Sequence, residues 1–212
     1  MKLKTSILIV FLLTLLPLKA QEIKLQTGDF LFQDLDCGAL CDAIENATFK
    51  DKKYKISHMG IVLVENDFTF VLEAYNGVEK TPINTFLNRS KTKQGKPRVV
   101  LARLKPKYQK YIPNFIQRLK TKIGLPYDTE FKLFNNKYYC SELVYENLLD
   151  SLNKPLFTIK PMTFKNQKTQ QTDQAWIDYF KKQNIAIPEG KLGCNPADYL
   201  LSDKLKIIRF YY

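Results

Sequence analysis

The sequence predicts an α+β fold, and three observations carry that prediction. Short runs rich in β-branched and aromatic residues fill positions 27–104, two of them joined by the turn Glu65-Asn66-Asp67. Helical periodicity takes over at Lys107, and a further helical segment beginning near Cys140 follows the break Gly124-Leu-Pro-Tyr-Asp128. Strands come first and helices later, which is the order of an α+β domain rather than of a parallel sheet with crossover helices. The 212 residues suffice for one sizeable core, and no repeat or linker divides positions 21–212. Composition excludes disordered, collagenous and disulfide-dense classes: 45% is hydrophobic, with only 8 Gly, 10 Pro and 4 Cys.

In chain order, Thr27–Gln33 reads as a strand entered by a turn, and positions 36–49 as a short helix with Leu40, Ile44 and Ala47 on one face. Ile56–Val64 and Phe68–Tyr75 form a hairpin, and Arg98–Leu104 is the next strand. Lys107–Ile123 carries Tyr111, Phe115, Leu119 and Ile123 in helical register, with Pro113 as a kink or a shifted start. Tyr139–Leu149 is helical, with Leu143, Val144, Asn147 and Leu148 inward. The tail holds a helix near Ala175–Lys182, Pro and Gly turns through Cys194, and an extended end.

Residues 1–20 have the layout of a secretory signal: basic Lys2 and Lys4, an apolar run from Ser6 to Leu18, and small Ala20. That run is shorter than the roughly 20 residues a membrane span needs. Its removal takes away Lys2, Lys4 and Lys19 and lowers the formal charge from +12 to +9. A basic protein of this kind is expected in a bacterial-type envelope, periplasmic or secreted, beside anionic membrane, cell-wall polymer or polysaccharide. Nucleic acid is not an expected partner there, and nothing in the sequence fixes an oligomeric state.

Two residues carry the candidate chemistry. His58 is the sole histidine. Cys140 stands where a polar loop turns into a helix, and unpaired N–H groups and the helix dipole favour a thiolate there. A thiol nucleophile needs a base, and the base needs an orienting group. If Val64 opposes Thr69 across the hairpin, Gly60 opposes Glu73, and Glu73 lies diagonally beside His58 on one face. A slip of one residue would put them on opposite faces.

Gly28-Asp29, Ser57-His58-x-Gly-Ile-Val, Val71-Leu-Glu73-Ala, Gly124-x-Pro-Tyr127-Asp and Tyr139-Cys140-Ser-Glu-Leu-Val resemble, in that order, the circularly permuted NlpC-type papain-like hydrolases, YiiX/YebB-like branch. The resemblance implies a permuted papain-like fold: an antiparallel sheet or small barrel packed on helices, with the catalytic Cys at a helix N-terminus. It implies a Cys140 nucleophile, a His58 base and Glu73 orienting it, with no metal or cofactor. Tyr139 and Tyr127 match cleft-lining positions, and Asp29 either supports the site or only shapes a turn. The wider group acts on lipid acyl amides or esters or on cell-wall peptides, so the substrate stays open. An acyltransferase and a non-catalytic envelope-binding module of the same fold are the alternatives.

The remaining cysteines allow several states. An oxidising compartment favours a bridge from Cys194 to Cys37 or Cys41, with all three reduced as the alternative. A zinc site from Cys37, Cys41, His58 and Cys194 is formally available but would consume the only histidine.

Overall fold

The alternating runs of the first half pair into one sheet, as their periodicity dictates. A computed structural model describes residues 24–48 and 55–211. The expected signal at 1–20 lies outside them. The elements in order are β1 (Phe30–Gln33), α1 (Ala39–Thr48), β2 (His58–Glu65), β3 (Phe68–Ala74), β4 (Val78–Pro82), α2 (Ile83–Asn88), β5 (Val99–Leu104), α3 (Pro106–Gln109), α4 (Ile112–Lys122), α5 (Cys140–Asn147), β6 (Lys160–Pro161), α6 (Gln174–Gln183), β7 (Leu192–Gly193), α7 (Pro196–Leu200) and β8 (Leu205–Phe210). An antiparallel sheet runs β4-β3-β2-β1-β5-β8, and β6 pairs with β7 separately.

The β2–β3 hairpin closes through Asn66 and Asp67, both left-handed (φ 48° and 64°), the conformation a two-residue hairpin turn requires. This turn fixes the register Val64↔Thr69 and Gly60↔Glu73. One face of the sheet buries Phe30, Met59, Ile61 and Leu72 with α4 and α5; the other buries Leu31, Val62 and Val71 beneath Phe86 of α2. A separate aromatic cluster, Phe164, Trp176 and Phe180 with Ala43, joins α6 to α1.

Three local expectations change. The segment read as one helix from Lys107 is two, because Pro113 occupies the first turn of α4, the place where a missing N–H costs nothing. β4 and α2, unread in the sequence, extend the sheet and cover it. The bridge expected from Cys194 is instead Cys37–Cys41. The two flank the opening turn of α1 with Cα atoms 5.3 Å apart, a separation that suits a disulfide. Cys194 is carried away by β7 and is buried as a free thiol.

Candidate active site

The hairpin register builds the first half of the site. His58 opens β2, and Glu73 sits diagonally across on β3, so their side chains leave the sheet on one face. The imidazole Nε2 meets Glu73 Oε2 at 2.6 Å, with the two side chains 5% and 0% exposed. Gly60 permits this approach. A Cβ there would stand 2.3 Å from Val71 Cγ1 and 3.2 Å from Glu73 Cβ, so any side chain would push the hairpin partner away.

Cys140 supplies the other half. It is the first residue of α5, and the extended Tyr139 (φ −90°, ψ 167°) is its N-cap. Glu142 accepts a hydrogen bond from the Tyr139 backbone N–H at 3.2 Å, which fixes where the helix begins. Cys140 is close enough to His58 to favour its protonated form. His58 thus bridges a helix start and a buried carboxylate.

The electrostatics follow from this bridge. Burial alone pulls His58 down, but the hydrogen bonds and charges of Cys140 and Glu73 outweigh it and raise the imidazole to about 9. Burial would likewise raise Glu73, yet His58 and Arg89 together hold it down at about 2. Glu142 goes the other way: burial beside Asp128 and Glu146 pushes it up to about 9, against the hydrogen bond from Tyr139.

Sequence reasoning missed Arg89. It follows α2 and clamps Glu73 with two bonds, Nη1–Oε2 at 2.7 Å and Nη2–Oε1 at 2.8 Å. Its guanidinium also lies 3.9 Å from the Tyr75 ring centroid. One signal was available. Arg89, Arg98, Arg103, Arg118 and Arg209 are the only arginines among 33 basic residues, and planar guanidinium suits buried bidentate pairing better than Lys. Arg89, Arg98 and Arg103 do pair this way, with Glu73, Asp34 and Asp29.

Of the predicted lining residues, Tyr127 and Tyr139 border a cavity of about 700 Å³ that Cys140 also lines. The Tyr139 hydroxyl accepts from the Cys194 backbone N–H at 3.2 Å, tying β7 to the start of α5. Asp29 is not brought there. Its carboxylate is buried and held by Arg103 at 2.6 and 2.8 Å, with Gln26 N–H donating as well. Of the two roles open to it, the structure places Asp29 in the turn that starts β1.

A thiol at a helix start, near a histidine that a buried carboxylate holds, is the arrangement of a papain-like thiol hydrolase. The comparisons agree on the class. Residues 24–209 match the model of the permuted papain-like amidase enzymes of the YaeF/YiiX family, and the chain belongs to that family. It is 32% identical over 149 residues to the uncharacterized protein YiiX of Escherichia coli K12, covering 69% of each chain. The crystal structure of YiiX from Escherichia coli O157:H7 superposes with a TM-score of 0.69 at 22% identity, over 88% of this chain and 98% of that one. That protein is described as a metalloprotein. In the present chain no group of three or more His, Cys, Asp or Glu side chains converges as a metal site among the described residues.

Proposed function

We propose that the chain is a secreted or periplasmic cysteine amidase that cleaves an amide or ester through an acyl-enzyme on Cys140. What supports this is the buried His58–Glu73 pair, with Cys140 among the groups that raise the imidazole and its thiol on the first turn of α5. His58 takes the thiol proton, and the sulfur attacks the carbonyl carbon. Unpaired N–H groups of the first turn face the developing oxyanion. As the tetrahedral intermediate collapses, the bond to the leaving nitrogen or oxygen breaks, and the leaving group departs with the proton from His58. Water, deprotonated by the same imidazole, then hydrolyses the thioester and restores the thiol. Glu73 holds the ring and its charge throughout, and Arg89 holds Glu73.

Incubation with an activated acyl ester, followed by intact mass and peptide mapping, tests the reading. The expected result is one acyl adduct on Cys140 that decays in water and is absent from His58→Ala. Acylation at other residues only would remove the hydrolase assignment.

A further inference from the structure

The chain makes a closed loop just before the nucleophile. Its base is fixed by two backbone bonds: Asp128 N–H donates to the Tyr138 carbonyl and Tyr138 N–H to that of Pro126, each at 3.1 Å. Inside the loop Phe131, Phe134 and Asn136 lie in the left-handed region (φ 54°, 62° and 60°). Asparagine visits that region comparatively often, but a phenylalanine there is uncommon and strained. Such strain persists only where the surroundings over-determine the backbone, and it clusters at functional sites.

The two phenylalanines share a conformation and differ in their surroundings. Phe134 is 71% exposed, with its ring centroid 6.4 Å from that of Tyr145. Phe131 is pinned from both sides. The buried Asp128 carboxylate accepts from Glu130 N–H at 2.9 Å and from Lys132 N–H at 2.6 Å. The Tyr179 hydroxyl of α6 donates to the Thr129 carbonyl at 3.3 Å. The Phe131 ring lies 5.2 Å from that of Tyr139 and 5.9–6.1 Å from those of Phe164, Trp176, Tyr179 and Phe180. It thus packs at once against the core that holds α5 and against the α6 cluster, and it lines the cavity. Tyr139 is the N-cap of α5, so what fixes Tyr139 fixes where Cys140 begins the helix.

We propose that Phe131 is a positioning residue for the thiol: its ring is a wedge between α6 and Tyr139 that sets the start of α5 relative to His58, and the left-handed backbone delivers it there. The proposal deepens the hydrolase reading and rests on Cys140 as the nucleophile. The ring makes and breaks no bond; it acts through Tyr139.

Substitution separates strain from position. Glycine adopts the left-handed region freely, whereas alanine keeps the strain, and both lack the ring. The urea midpoint should therefore be higher for Phe131→Gly than for Phe131→Ala. Turnover of an activated acyl ester should nonetheless fall about tenfold or more in both, with kcat changed more than KM. The pH midpoint of Cys140 labelling by iodoacetamide should rise in both toward the free-thiol value of about 8.5. Phe131→Tyr keeps the ring and should keep turnover and midpoint. Phe131→Leu keeps apolar volume, in case the smaller side chains prevent folding, and should show both shifts in smaller measure. Phe134→Gly, in the same backbone conformation, should match the unsubstituted protein in both. A purely structural aromatic would lower stability and leave the labelling midpoint in place. Unchanged midpoints in Phe131→Gly and Phe131→Leu would overturn the proposal. So would turnover that recovers with stability from Phe131→Ala to Phe131→Gly, or an equal loss in Phe134→Gly. The unsubstituted protein decides the hydrolase reading by itself. Absence of any acyl adduct on Cys140 fails that reading, and the labelling midpoints still decide whether Phe131 sets the thiol. An adduct formed equally fast by Phe131→Gly fails the wedge alone.

Discussion

The two structures that meet at Cys140 are built on different principles. On the sheet side, β2, β3 and the residue after α2 hold a polar assembly. His58, Glu73 and Arg89 are joined by bonds of 2.6–2.8 Å, and register, a glycine and a guanidinium clamp leave each side chain one position. On the cavity side, α1, α6 and the β6–β7 pair present a largely apolar and aromatic surface. The first can define a reaction because its geometry tolerates little change. The second can define a substrate because apolar packing accepts replacement at modest cost. The contrast separates residues that should govern rate from those that should govern selectivity.

The sharpest way to break the comparison is to remove chemistry from the rigid side. Cys140→Ala and His58→Ala should each lower turnover at least about a thousandfold with the fold retained, as near-ultraviolet circular dichroism would register. Arg89→Met should expose the dependence of Glu73 on its clamp. Leaving a buried carboxylate half-paired costs about 3 kcal/mol, read as a lower urea midpoint. Gly60→Ala should cost about 1–3 kcal/mol and slow turnover, since the new methyl overlaps Val71 and crowds Glu73.

The pH dependence sharpens the same contrast. His58 is raised to about 9, so activity that needs imidazolium should fall as pH rises through about 9. Glu73→Gln removes one of the groups that raises His58, and the alkaline limb should move to lower pH. Stability has the same sign. The contribution of the raised His58 is complete below its ordinary value near 6.5 and disappears as pH passes 9. Urea midpoints measured between pH 6 and 10 should show this loss in the unsubstituted protein and not in His58→Ala.

The same division describes what could be read in the sequence. The hairpin was legible because a two-residue turn and strict alternation leave one register, and that register alone places Glu73 beside His58. The start of α5 was legible because polar residues give way there to helical spacing. Arg89 was not: it reaches Glu73 from a segment whose short strand and helix carry no strong period. The cavity was not legible either. Its walls come from positions 44 to 201 and are brought together by tertiary packing of loops around Trp176 and Phe164. The Cys37–Cys41 bridge was hidden because a spacing of four says nothing about pairing until the α1 turn is known. Asp29 was drawn toward the site by motif order alone, whereas Arg103, far along the chain, claims it.

The most direct test of the central claim, that His58 activates Cys140, is the rate of iodoacetamide labelling at pH 6, read by peptide mass. Cys194 serves as an internal control, since burial pushes its thiol up to about 12. The account predicts that Cys140 labels at least about tenfold faster in the unsubstituted protein than in His58→Ala, while Cys194 stays unmodified in both. Equal, slow labelling of Cys140 in the two proteins would contradict it.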